Sequence, residues 1–440
     1  MFDRITKAIF LVSFFFLSSI ACSTTAAKYP DESATLNERW NWAQEQLKPN
    51  QDHWIGYSIS REMYEKEFIG SWYSDKRKFP TIYEVLTGKA PALKAQPDHR
   101  NVQVFANEKL TRVEEKDSGR GQLVTKEVAL LFGYLGKNLD RVEVSLLDLQ
   151  FDFRGRNLIW LGASSSEESV TLLNKLYNDE QRLQCKEELL EGIGVHRDPK
   201  LVVPILQRIL NSNAKNELRA KAAFWLGTQN DPTALKVLKD TLPSETSEDV
   251  IEDAFAGMND MEMPESNALL KEWTKKNYSR KLREAAIFWL GQAEAPGTLP
   301  LLEKIAMEET DPEIVEKAIF SMSEMRDTQG VTETLIQIAH TQPTREGRKH
   351  AIFWLSQNYN EKSASTLKDF VHNDPDFEVR KHALFALAEL EDGQGIPELI
   401  KIAKNEKDPE LRKQAIFWLG ECDDERAQKA LLQIIEDGQK

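Results

Sequence analysis

From Ser165 onward the apolar positions recur three and four residues apart, which is the spacing of helices with one buried face. The clearest unit is Arg412-Lys413-Gln414-Ala415-Ile416-Phe417-Trp418-Leu419-Gly420, and its core returns as Ala351-Ile352-Phe353-Trp354-Leu355, Ala286-Ile287-Phe288-Trp289-Leu290 and Ala222-Ala223-Phe224-Trp225-Leu226. Weaker copies lie between them: Ala383-Leu384-Phe385-Ala386-Leu387, Ala318-Ile319-Phe320-Ser321-Met322 and Asp253-Ala254-Phe255-Ala256-Gly257. Aligned on Phe, the copies stand 31, 33, 32, 33, 32 and 32 residues apart. A fixed period of this length marks a stacked repeat, in which each unit buries its apolar face only against its neighbours. The pattern predicts eight helix pairs over residues 165–440, each an A helix followed by a B helix, and a closing helix from Glu425 to Asp437. Asp-Pro steps at Asp311-Pro312, Asp374-Pro375 and Asp408-Pro409 open B helices, and Asp198-Pro199 and Asp231-Pro232 open A helices. The Asp side chain accepts from orphan amides, and Pro lacks only an amide that has no partner there.

Upstream the texture changes. Asn37 to Gln46 reads as a helix. Trp54–Ile59, Phe68–Tyr73 and Thr81–Leu86 are short, aromatic and β-branched, and read as strands. Pro91 to Arg100 reads as a loop, and Asp117 to Gly121 as a turn. Val128–Tyr134 and Val142–Leu146 form a strand pair turned at Gly136-Lys137-Asn138. Leu158-Ile159-Trp160-Leu161-Gly162 mimics the repeat ending, but the alternation before it makes it a strand. Residues 28–160 are therefore expected to form a small β-rich or α+β module ahead of the helical array.

Residues 1–21 have the texture of a signal peptide. Arg4 and Lys7 precede a run from Ala8 to Ile20, too short to span a membrane as a helix. The following Ser18-Ser19-Ile20-Ala21-Cys22-Ser23 resembles a bacterial lipobox, with Ser19 where Leu is preferred. Two outcomes fit: lipid on Cys22, or ordinary cleavage after Ala21 or Ala27. Export to the periplasm is expected in both. A lipid on Cys22 would add attachment to the outer membrane, as Ser23 implies by resemblance to bacterial lipoproteins.

The segment from Asp408 to Gly420 looks like the B helix of HEAT-like repeats, the short kind also seen in phycobilin lyases. The resemblance covers roughly residues 165–440. It implies an α-α superhelical solenoid and leaves function open, because such arrays serve unrelated tasks. On a helical wheel with Trp418 at zero, Leu411, Ala415, Leu419 and Ile416 fall between about 20° and 160°, and Phe417 at about 260°. In HEAT-like repeats the Phe position is usually polar. Two arrangements fit Phe224, Phe255, Phe288, Phe320, Phe353, Phe385 and Phe417: lateral packing that finishes a thin core, or a concave ladder of aromatics that holds a partner. Position zero alternates large and small, from Trp225 and Ala256 to Ala386 and Trp418, as core packing would require. Arg219, Arg283, Arg348, Arg380 and Arg412 precede the repeat Ala residues. The resemblance implies that they bond acids between repeats, and Asp376–Arg380 and Asp408–Arg412 have i,i+4 spacing.

Charge and chemistry narrow the function. The net charge of −14 argues against a nucleic-acid partner. None of the seven His is followed by Glu, so the His-Glu pairs of the iron hydroxylases built from HEAT-like repeats are not carried over. No His-Glu-x-x-His, nucleophile elbow or phosphate loop occurs, and no cofactor or metal is expected. Cys185 and Cys422 lie about seven repeats apart, beyond disulfide reach, and are expected to be unpaired. The expected function is a non-catalytic scaffold of the bacterial cell envelope that binds another protein on the concave face. The alternative is an enzyme or lyase-like accessory protein with its site in residues 28–160.

Overall fold

The computed structural model describes residues 26–29, 31, 33–70, 79–88, 102–103, 122–259, 261, 263–293, 295–325, 328–357, 361–390 and 393–438. Cys22, the signal-like segment, the Pro91–Arg100 stretch and the turn expected at Asp117–Gly121 lie outside the described residues. The chain divides into two compact units, one up to Ile205 and one from Leu206.

The first unit runs β1 (Ala26–Lys28), α1 (Leu36–Gln46), β2 (His53–Tyr64), β3 (Phe68–Ile69), α2 (Ile82–Thr87), β4 (Val102–Gln103), β5 (Leu123–Leu135), β6 (Asn138–Leu146), β7 (Asn157–Ser164), α3 (Ser166–Asp179) and α4 (Leu183–Gly194). Five strands form a sheet in the order β1-β7-β2-β5-β6, while β3 and β4 pair by themselves. The hairpin of β5 and β6 pairs Leu135 with Asn138, so Gly136 and Lys137 make the turn, and Gly136 has φ +61°. That is the left-handed region a two-residue hairpin demands. The segment after Asn157 is a strand, as the alternation before it foretold, and this β7 lies parallel to β2.

The period-2 alternation sorts the sheet into two faces. Trp54, Ala129, Leu131, Leu158 and Trp160 share one core with Ile82, Phe151 and Phe153. On the other face Phe132 meets Trp40 of α1 edge-on at 4.7 Å and stacks on Tyr57 at 5.9 Å. Leu130 lies so close to Gly192 of α4 that a Cβ there would sit 3.2 Å from it. α3 and α4, the first helix pair of the expected array, are thus part of the sheet-bearing unit. Thr81–Leu86 is not a strand. Thr81 and Glu84 cap each other's amides, and Gly88 closes α2 at φ +68°. This Thr-x-x-Glu box outweighs the β-branched composition of a segment one and a half turns long.

α5 (Pro199–Leu210) leads into the second unit, where B helices and A helices alternate. The B helices are α6 (Asn216–Gly227), α8 (Glu248–Met258), α10 (Arg280–Ala293), α12 (Pro312–Ser323), α14 (Arg345–Gln357), α16 (Phe377–Ala388) and α18 (Pro409–Glu421). The A helices after α5 are α7 (Pro232–Thr241), α9 (Pro264–Trp273), α11 (Thr298–Glu308), α13 (Thr328–Thr341), α15 (Glu361–Asn373) and α17 (Ile396–Asn405), and α19 (Glu425–Gly438) closes the array. Asp231, Asp311 and Asp408 cap their helices as expected. Before α16 the cap is Asp376 rather than Asp374, so Pro375 lies outside the helix. The repeat Ala, Ile and Leu positions and the inner faces of the A helices join in one continuous core from Ile287 to Ala427.

Candidate functional site: the B-helix face

Burial fixes the register of the repeats better than the Phe residues do. In α6, α10, α12, α14 and α16 the Ala and the residue after it are buried, the Phe that follows is half-buried, and the Leu or Met three on from the buried pair is buried again. In α8 the same pattern falls on Ala254, Phe255, Ala256 and Met258. Ala256 therefore holds the ladder position, and the spacings become 32, 32, 32, 33, 32 and 32 residues from Phe224 to Phe417. Phe255 is 0% exposed and packs on Trp273 of α9 at 5.3 Å. It belongs to the core and leaves the set of surface aromatics. Gly257 then takes the place of the repeat Trp, and this explains the residue type. A Cβ on Gly257 would lie 2.1 Å from the Phe224 carbonyl oxygen, because α6 and α8 meet backbone to backbone. Gly291 meets the Ser321 carbonyl in the same way at 2.6 Å.

The six remaining Phe residues form a strip along the B helices. Phe224, Phe288, Phe320, Phe353 and Phe385 are half-buried, and Phe417 is 52% exposed. Phe288 and Phe320 stack in parallel at 6.0 Å, and Phe320 leans on Trp354 at 5.1 Å. Phe385 leans on Trp418, also at 5.1 Å. Phe288, Phe320 and Phe385 are thus each covered in part by a ring of the next repeat and stay half-buried. The rings pack laterally, as the first of the two arrangements has it, and keep part of their surface exposed. The Trp residues were expected in the core. Trp225 is, at 4% exposure, but Trp289, Trp354 and Trp418 are half-buried and complete the strip. Lys317 lies over the Phe288 and Phe320 rings at 5.9 and 5.6 Å, and His382 is tilted against Phe385 at 5.7 Å.

Behind the strip the Arg row locks successive repeats. Arg283 of α10 donates Nε to the Thr274 carbonyl at the end of α9, at 3.1 Å, and pairs through its other arm with Glu309 at the end of α11. Arg219 repeats this with the Leu210 carbonyl and Glu245. Arg380 donates to the Asp374 carbonyl at 3.0 Å and pairs with Asp408 at 3.3 Å. Arg348 lies 3.9 and 3.8 Å from Asp374 and Asp376, and Arg412 donates to the Glu406 carbonyl at 2.7 Å. The acids therefore come from the following repeat, as the resemblance implied. The i,i+4 partners do not form: Asp376 and Asp408 each turn one oxygen to their own helix amides and the other to an Arg of the preceding repeat, Arg345 and Arg380. Burial pushes the Glu309 carboxyl up, but hydrogen bonds from Arg283 and the Thr310 and Asp311 amides outweigh it and hold it at about 2. This row is structural and faces the ends of the A helices. An open polar hollow of about 370 Å³ at Asn211, Arg219 and Glu245 is one of its junctions.

The first unit holds one arrangement with the outline of a catalytic pair. His196 Nδ1 lies 2.8 Å from the Gly192 carbonyl and Nε2 lies 2.9 Å from Ser169 Oγ, which is 2.8 Å from Tyr57 Oη. A carbonyl only accepts, so Nδ1 carries the proton and Nε2 accepts from Ser169. Burial pushes the His196 imidazole down to about 4. All three side chains are sealed within the interface of sheet and helices, where the chain of bonds satisfies buried polar groups. Cys185 is unpaired and buried, and Cys422 is unpaired and half-exposed. Among the described residues no group of three or more His, Cys, Asp or Glu is placed to hold a metal ion, and no helix is long and apolar enough to cross a membrane.

A HEAT-repeat family model matches residues 267–356, and a model of the PBS lyase HEAT-like repeat matches residues 379–405. No curated protein sequence matches the chain. Among solved structures, human deoxyhypusine hydroxylase in complex with glycerol is similar at 16% identity over 58% of this chain and 96% of its own, with a TM-score of 0.26. The complex of CpcE and CpcF of phycocyanin lyase from a Nostoc species is similar at 16% identity over 55% and 97%, with a TM-score of 0.27. Kap95p bound to RanGDP is similar at 13% identity over 60% and 45%, with a TM-score of 0.38. Scores of this size carry no argument, so the repeat type rests on the chain's own helices and on the family matches. Residues 267–356 and 379–405 match HEAT-type repeats, and the second unit is a solenoid of HEAT-like helix pairs that follows a small sheet-containing unit in the chain.

Proposed function

We propose that this chain is a non-catalytic scaffold that holds another protein on the B-helix face of its solenoid, through Phe224, Phe288, Phe320, Phe353, Phe385 and Phe417. The observation that carries the reading is the strip itself. Six of the seven B helices, five of them consecutive from α10 to α18, carry a half-buried or exposed Phe at a position where a polar residue would serve a solvated face. Aromatics anchor interfaces because they bury a large area with few rotors, and a strip of this length exceeds what a monomer usually leaves in water. Capture of partners by crosslinking from envelope fractions tests it. Phe353→Ser with Phe417→Ser should keep the far-UV spectrum of the wild type and lose the captured partner. A folded variant that captures as the wild type does would place the binding surface elsewhere.

The place of action is the cell envelope, on the strength of the residues before Ala21. Cys22→Ser should release the protein from membranes and block metabolic acyl labelling. A wild-type protein that takes up no label would leave a soluble periplasmic protein instead.

A further inference from the structure

From α8 onward, the position one turn before the ladder residue of each B helix is charged and changes sign once along the array, whereas in α6 it is the buried Ala220. It reads Glu252, Glu284 and Glu316 in α8, α10 and α12, and then Lys349, Lys381 and Lys413 in α14, α16 and α18. Residues four apart share a helix face, so this row runs beside the aromatic strip. His350 Nε2 lies 3.6 Å from Glu316, which places the row of one helix against the face of the next. The six residues are exposed or half-exposed. Apart from Glu316, which faces His350, the pairs are local: Lys349, Lys381 and Lys413 pair with Glu346, Glu378 and Glu410 one turn back, at 3.0, 3.9 and 3.6 Å, and Glu284 lies 3.6 Å from Arg280. Exposed pairs of this kind are weak, and an incoming charge can replace them. Asp253 beside Glu252 adds to the acidic half, while Lys317 is turned over the rings and Lys281 pairs with Glu248.

Resting on the ladder as the partner surface, we propose that its occupant is an extended segment of a partner protein whose charge is divided into two blocks. The basic block lies over α8 to α12 and the acidic block over α14 to α18. Packed helices stand about 8–10 Å apart. A polyproline-type extended chain brings every third side chain to one face at about 9.3 Å, so it keeps step with the rungs. Each triplet then sets one charged side chain on the row and one apolar side chain on the ladder beside it, against Ala256 in α8 and against a Phe ring from α10 to α18. Charge order fixes where along the strip the segment settles, and the rings supply the anchor.

Three synthetic peptides of six triplets test this, each with Leu once per triplet. One has Lys in three triplets and then Glu in three, one alternates Lys and Glu, and one has Lys in all six. Isothermal titration against the full chain should show the block peptide binding at least tenfold tighter than the alternating one, with the preference lost in 0.5 M salt. K349E/K381E/K413E should transfer the preference to the all-Lys peptide. Equal binding of block and alternating peptides, abolished by Phe353→Ser with Phe417→Ser, would overturn the charge order and leave the ladder standing. No binding of any peptide would overturn the extended occupant. Capture of the envelope partner remains the separate test of the ladder.

Discussion

Removing one arm of the clasp between Arg283 and Glu309 should cost more than removing most side chains on the solenoid surface. Arg283→Met leaves the Glu309 carboxylate buried, with the Thr310 and Asp311 amides and Lys276 at 3.5 Å as its remaining company. Breaking a buried pair from one side costs about 3–5 kcal/mol, and the retained amides and Lys276 set the expectation at about 3 kcal/mol at pH 7. The sign with pH follows from the carboxyl. Its folded value of about 2 lies below the ordinary 4.5, so the clasp contributes fully above pH 4.5 and its contribution fades as pH falls toward 2. The gap between wild type and variant should therefore be widest at neutral pH and shrink below pH 4.5. Urea unfolding followed by far-UV circular dichroism at pH 7, 5 and 3 measures it. A loss under about 1 kcal/mol at pH 7, or a loss that stays constant down to pH 3, would refute the clasp as drawn. Adding Glu309→Leu to the variant should recover much of the loss, because no unpaired charge then stays buried.

Two further predictions follow from the register. Phe255→Ser should cost about 3–5 kcal/mol, as expected of a fully buried aromatic, whereas Phe417→Ser should stay within about 0.5 kcal/mol; thermal melts of the pair check it. Gly257→Ala should destabilise the contact of α6 with α8, because the added methyl meets the Phe224 carbonyl, and Gly420→Ala, with open space around it, should be neutral or gain up to about 1 kcal/mol from helix propensity. Equal effects at the two glycines would mean that the helices do not approach as closely as they are drawn.

The solenoid was legible because its information is local and repeated. One helix pair needs only its own apolar spacing and an Asp cap, and seven copies average out the noise. The register slipped at one copy for a physical reason. Phe served as the anchor, yet Phe tolerates both the core and the strip, while the small buried Ala tolerates only the core; Ala254 was the better guide. The Arg partners were legible as acids but not as to which acids, since i,i+4 proximity competes with a neighbour some 26 residues on that only stacking brings near. In the first unit the strands could be read, and the sheet order could not. β2 finds β7 about a hundred residues later, and no local pattern encodes that pairing. Thr81–Leu86 was misread from its β-branched residues although Thr81 and Glu84 spell out a capping box. The open rings of the strip depend on how far each helix covers its neighbour, which no single helix reveals.

The most direct measurement of the ladder as a binding surface is site-specific photocrosslinking in cells. A benzophenone amino acid replaces Phe320, Phe353 or Phe417 on the B helices, or Lys304 on the exposed side of α11. Crosslinks to one partner from the three ladder positions and none from Lys304 are predicted. Crosslinks from Lys304 with the ladder positions silent would contradict a partner held on the B-helix face.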